Sequence, residues 1–158
     1  MLAGAVVLTS PAGAGVLAGT VSARSAPAAA VTWRELNRGD AIGPALSVPV
    51  AFVALDRAST RRFSYRLPAA GKRALAKLDF TRDAAVAVFS QFGCKDHRVA
   101  VTSIAQRAGS KLVVSLVERP LAAGTMECQA VYPTYRVLAV PKSSLSRPYP
   151  TRSEATLR

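Results

Sequence analysis

The run Ala84–Phe89 (AAVAVF) constrains this chain more than any other segment. It has no polar side chain and is too short for a buried helix. Bounded by Asp83 and the polar Ser90-Gln91, it fits a central strand of a sheet. Ser47–Leu55 (SVPVAFVAL) is apolar and rich in β-branched residues, which predicts a second strand. Arg98–Gln106 alternates, with Val99, Val101 and Ser103 expected on one side and Ala100, Thr102 and Ile104 on the other. Ala108-Gly109-Ser110 then turns the chain into Lys111–Val117 (KLVVSLV), a hairpin signal. Tyr135–Val140 (YRVLAV) reads as the last strand, stopped by Pro141. Short loops between the strands from residue 84 onward favour antiparallel neighbours.

Two helices are expected beside these strands. Ser59 or Thr60 can cap a helix reaching Leu67, with Phe63 and Leu67 on one face, Arg61, Arg62 and Arg66 solvated, and Pro68 ending it. Gly71–Leu78 (GKRALAKL) suits a second short helix with Leu75 and Leu78 inward. Trp33–Arg38 begins the ordered part, and Asn37–Asp40 and Ile42–Pro44 carry turn signals. The expected fold class is therefore α+β: a mainly antiparallel sheet of about five strands with one or two helices on one face, in a single domain.

The two ends of the chain read differently from the middle. Residues 1–23 carry no charge, yet Pro11 and the glycines at 4, 13, 15 and 19 suit a membrane-spanning helix poorly. Residues 1–30 fit a secretory signal peptide, with Ala28-x-Ala30 as the expected cleavage motif before Val31. No Lys or Arg precedes its apolar run, and a disordered Ala-rich leader is the alternative. Residues 31–145 form the predicted domain. Residues 146–158 (SRPYPTRSEATLR) lack apolar periodicity and are expected to be a flexible basic tail.

Export agrees with the cysteines. Cys94 and Cys128 are the only two, each in a loop-like context. A disulfide between them would close a loop of about 34 residues, for which chain entropy gives about 3.5–4 kcal/mol. Two unpaired small hydrophobes are the alternative reading, and the close CxxC spacing of a redox pair is absent.

Charge is the other strong compositional signal. Lys and Arg number 21 against 9 Asp and Glu, a net charge of +12, or +11 once Arg24 leaves with the leader. The basic residues are scattered, with Arg61, Arg62 and Arg66 the one tight cluster. That cluster could bind phosphate, but a solvated helix face explains it as well. A DNA-binding domain would gather such groups on one reading element, so nucleic acid is not an expected partner. An exported basic protein does meet anionic lipids and wall polymers, to which it adheres weakly and salt-dependently.

Chemistry has few candidates. His97 is the only His, and Asp96 beside it is poorly placed to orient it for acyl transfer. There is no Gly-x-Ser-x-Gly elbow, and Ser103, Ser110 and Ser115 read as parts of the hairpin. Asp79 and Asp83 are close in sequence, but Asp79 reads as a turn at the strand entry. Asp56, Glu118 and Glu127 are isolated. Phosphate loops, dinucleotide fingerprints and HExxH are absent, and one His with two Cys cannot complete a four-ligand structural zinc site. The expectation is a protein that is not an enzyme, with no catalytic residues, cofactor or metal.

The segment Leu78–Lys142 resembles the PrcB C-terminal domain family of exported bacterial proteins, named from a protease-complex subunit. The likeness lies in Asp79-Phe80 ahead of Ala84–Phe89, a glycine loop, the hairpin strand Leu112–Glu118 before Pro120, the approach Gln129-Ala130-Val131-Tyr132-Pro133-Thr134-Tyr135, and the ending Val140-Pro141-Lys142. The family usually has Thr-Gly-Gly-Tyr after the first core strand, where this chain has Phe92-Gly93-Cys94-Lys95-Asp96-His97. The loop's role in relatives is therefore not carried over, and a Cys94–Cys128 cross-link is expected to replace the missing glycine–tyrosine packing.

The expected function is an exported, monomeric, non-enzymatic domain that binds another extracellular or envelope protein. The candidate contact residues are Phe92, Lys95, His97, Arg98, Tyr132 and Tyr135, the aromatic–cationic mixture that interfaces favour, with packing on the sheet end the alternative for Tyr132 and an equal reading for Tyr135. The alternatives are electrostatic adhesion to anionic envelope polymers or membrane surface, and protease inhibition through residues 92–98 and 125–135, which the family likeness suggests.

Overall fold

The structure, a computed structural model, describes residues 29–44, 46–92, 98–107, 110–119 and 132–157. Its elements in chain order are β1 (Ala29–Ala30), β2 (Arg34–Asp40), β3 (Val50–Ala54), α1 (Arg61–Ser64), α2 (Ala69–Ala76), β4 (Asp83–Phe92), β5 (Arg98–Arg107), β6 (Lys111–Arg119), β7 (Tyr132–Pro141) and β8 (Arg152–Leu157). They form two four-stranded sheets, ordered β2-β7-β4-β3 and β1-β5-β6-β8. The α+β class holds, but the strands divide between two sheets where the sequence suggested one.

β4 is an inner strand, paired antiparallel with β3 (Val86 opposite Val53) and β7 (Val86 opposite Leu138). Its neighbouring residues point to opposite faces, and both faces are covered. Ala84, Val86 and Val88 join a core shared with Val99, Val101, Ile104, Leu112, Val114 and Leu116 of the second sheet. Ala85, Ala87 and Phe89 join a separate core with Phe63, Leu67, Leu75 and Leu78 from the helical segment. The order of layers is sheet, sheet, helices. A strand covered on both sides has no solvent-facing position, hence the unbroken apolar run. Each buried Val or Leu contributes about 1.5–3 kcal/mol.

The helical segment follows from its turn chemistry. Ser59 donates its N–H (2.7 Å) and hydroxyl (2.8 Å) to the Asp56 carboxylate, shaping the turn into α1. α1 stops at Ser64, earlier than expected, while Phe63 and Leu67 are fully buried as predicted. Pro68 starts α2, and Leu75 and Leu78 point inward.

The hairpin β5–β6 forms with Arg107 opposite Lys111, but its alternation is interrupted by a bulge between Val101 and Ser103. The extra residue shifts the phase by one position. Ile104, expected on the opposite side from Val99 and Val101, therefore enters the same core.

Two expectations about the ends are corrected. The segment Arg34–Asp40, read as an entry with turn signals, is edge strand β2 beside β7. The expected flexible basic tail, 146–158, contains β8, which runs parallel to β6 from Lys111 opposite Arg152 to Leu116 opposite Leu157. Ser153 Oγ donates to Ala51 O (2.8 Å), and Lys111 pairs with Glu154, so polar side chains fix this edge strand. Ala29 and Ala30, placed in the leader by the sequence, pair with Gln106 and Ala105, and Val31 N–H continues the pairing to Ile104 O (2.9 Å).

Candidate functional site

Strand register pairs the described residues that flank the two predicted loops. β4 ends at Phe92, which pairs with Tyr132, the first residue of β7. β5 begins at Arg98, which pairs with Arg119, the last residue of β6. Phe92 and Arg98 flank residues 93–97, and Arg119 and Tyr132 flank residues 120–131. Cys94, Lys95, His97 and Cys128 lie outside the described residues, as do the side chains of Phe92 and Arg98, and the expected disulfide with them. Tyr132 is half-buried where β7 begins.

Tyr135 does not belong to the expected contact surface. It is 2 % exposed, and its hydroxyl donates to Asn37 Oδ1. Its ring lies against Gly39 and Gly71, where an added Cβ on Gly71 would stand 3.0 Å from Cε2. Burial pushes the Tyr135 phenol above its ordinary pKa, and the Asp40 charge adds to the effect. The candidate contact residue is thus a core residue, because β7 presents it to the helix side of its sheet. Arg66 is corrected in the same way. It is 9 % exposed, donates from Nη2 to Pro44 O (2.7 Å) and sits with Cζ 5.3 Å from the Phe89 ring centroid, while its Nε has no partner.

The opposite end of the β4–β7 ladder, where Asp83 pairs with Pro141, lies about 30 Å from Phe92 by strand rise. A cleft of about 460 Å³ opens beside it between β2 and α2. Its walls include Arg34, Leu36, Asn37, Arg73, Lys77 and Leu78, with no carboxylate among the lining residues. A second cleft of about 630 Å³ shares Arg34 and Lys77 and adds Arg82, Lys142, Asp79 and Asp83. Arg34 donates to Asp83 (3.2 Å), whereas neither Arg73 nor Lys77 has an ion-pair partner among the described residues. The one sequence signal for this end was the i, i+4 spacing of Arg73 and Lys77; Arg34 and Asn37 are supplied by a strand the sequence hid.

The carboxylates here serve turns and pairs. Asp79 accepts the Thr81 hydroxyl (2.6 Å) and N–H (2.9 Å), bonds that hold its carboxyl below the usual carboxylate range. Asp83 is engaged separately by Arg34. Among the described residues no group of three or more His, Cys, Asp or Glu is placed to hold a metal ion, and no helix is long and apolar enough to cross a membrane. Ser115 is buried within β6, and Ser110 Oγ donates to Pro148 O (3.2 Å).

No family model, curated protein or solved structure matches this chain. Of the quoted motifs, Asp79-Phe80 leads into β4 and Val140-Pro141 closes β7 before Lys142, while residues 93–97, Pro120 and 129–131 lie outside the described residues.

Proposed function

We propose that this protein is an exported, non-catalytic binding domain that engages another protein through the end carrying residues 93–97 and 120–131. Pairing of the residues that flank the two segments supports the reading: Phe92 faces Tyr132 and Arg98 faces Arg119 across their ladders. Connections anchored on a rigid scaffold are the usual platform for recognition. Cys94 follows Phe92 by two residues and Cys128 precedes Tyr132 by four, so a disulfide between them would fasten the two connections together. Peptide mapping of the non-reduced protein should recover the two cysteine peptides linked; two free thiols count against the bond. Replacing Lys95 and His97 with Ala should leave the melting temperature unchanged and abolish cross-links to one defined envelope protein. Identical cross-linking patterns in both proteins would end this reading.

Adhesion to anionic envelope polymers is the second reading. It is favoured by the exposed Arg61, Arg62, Arg73 and Lys77, which meet no carboxylate among the described residues. It predicts release from the envelope fraction by moderate salt, equally for native protein and the Lys95/His97 variant.

A further inference from the structure

The cleft between β2 and α2 is a separate site from the loop end, and we propose that it binds an organic phosphate. Arg73 and Lys77 leave the same face of α2, one turn apart, and Arg34 faces them from β2. These cations are not spent on closing the helix. Arg57 Nη2 already donates to Ala76 O (3.1 Å), and backbone N–H groups of Lys77 and Leu78 serve the carbonyls of Arg73 and Leu75. Arg34 uses its Nη2 on Asp83, and a guanidinium carries four further N–H donors.

Asn37 narrows the chemistry. Its Oδ1 is taken by the Tyr135 hydroxyl, which leaves the amide nitrogen as the hydrogen-bonding end in the cleft. Every polar side chain lining the cleft therefore offers donors. Three cations and an amide donor, with Asp83 paired to Arg34 and Asp79 bonded to Thr81 in the adjoining cleft, suit a group of more than one negative charge and several acceptor oxygens. A phosphate monoester meets that demand; a single carboxylate does not. Leu36 and Leu78 supply an apolar wall against which the organic part can lie, and about 460 Å³ falls within the range of small-ligand sites. A phosphate of this kind comes free in solution or as the headgroup of an anionic lipid.

The test is calorimetric titration of the full chain at low ionic strength with glycerol 1-phosphate, inorganic phosphate and glycerol. Glycerol 1-phosphate should bind best, inorganic phosphate more weakly, and glycerol not at all. R73A/K77A should weaken glycerol 1-phosphate binding about tenfold or more, while R61A/R62A, which removes the same charge from α1, should leave it within about twofold. All four substituted side chains are exposed, and matching thermal melts will show that the variants fold. Equal weakening by both variants, or no phosphate binding at millimolar concentration, overturns the proposal. Phosphatidic acid vesicles, whose headgroup is a phosphate monoester, identify the source: co-sedimentation that R73A/K77A abolishes supports the site with a lipid headgroup as ligand. Binding of glycerol 1-phosphate without vesicle binding supports it with a soluble one. The Lys95/His97 variant should bind glycerol 1-phosphate normally, so failure of the loop-end reading leaves this site standing.

Discussion

The two sheets are built from the same number of strands, but they live in different surroundings. The β2-β7-β4-β3 sheet has a hydrophobic core on each face, one shared with the second sheet and one with the helical segment. The β1-β5-β6-β8 sheet has such a core on one face only among the described residues. The inner strands of the first sheet therefore run apolar on both faces over Ala84–Phe89 and Val137–Val140, whereas β5 mixes buried apolar with exposed polar positions. The difference shows which substitutions the fold feels. On the inner strands of the first sheet Ala84–Phe89 and Val137–Val140 are all core residues, whereas on the outer face of the second small polar residues such as Ser103 and Thr156 stand exposed.

The comparison breaks most severely at Phe89, which is 1 % exposed and stacks between Arg66 and Phe52. Phe89→Ala should cost about 3–5 kcal/mol in urea unfolding, as a large buried aromatic does. Gly71→Ala tests the contact between the helical layer and Tyr135. The helix itself would gain about 1 kcal/mol from Ala, but the new methyl meets the Tyr135 ring at 3.0 Å and Leu67 Cβ at 3.2 Å. Overpacking of this kind costs about 1–3 kcal/mol, so the expected outcome is a net loss of stability. A gain would show that the helical layer is more yielding than its packing implies.

Tyr135→Phe removes one hydroxyl from the same layer and should cost about 0.5–1.5 kcal/mol. It also has a pH signature. The folded-state phenol pKa is raised, so its contribution is complete below about pH 10 and is lost as pH rises through the folded value. Thermal melts of native protein and variant should therefore converge on the alkaline side. Ser103→Ala, on the outer face of the second sheet, should change stability by less than about 0.5 kcal/mol; a larger loss would mean that this face carries a layer too.

The smallest effect is at the strand entry. Asp79 and Asp56 have lowered pKa values from their bonds to Thr81 and Ser59, so their contribution is present above the unfolded value of about 3.9. It is lost as pH falls through the folded value. Asp79→Asn should lower the melting temperature slightly at neutral pH, and the difference should vanish in strong acid.

How far the fold could be read follows the same contrast. Ala84–Phe89 and Val137–Val140 were legible because burial on both faces leaves no room for polar residues. The hairpin was legible by its alternation, apart from the bulge that moves Ile104 into the core. β2 and β8 were hidden, since an edge strand pairs on one side and can be as polar as Arg34–Asp40 or Arg152–Leu157. Arg66 and Tyr135 were misread because their partners, Pro44 with Phe89 and Asn37 with Gly71, are brought near by the fold rather than by the sequence. The basic cleft was hidden for that reason: Arg34 and Asn37 meet Arg73 and Lys77 only once β2 docks beside α2.

The strands of the two sheets are interleaved along the chain. One sheet takes β2, β3, β4 and β7, and the other takes β1, β5, β6 and β8. No contiguous segment of the chain holds one sheet whole without strands of the other. Neither layer can be inherited, excised or grafted without the other, and the protein should unfold in a single cooperative step. Its assembly also waits for the last residues to arrive: β6 gains its outer neighbour only when Arg152–Leu157 emerges, so folding completes after the whole chain is available.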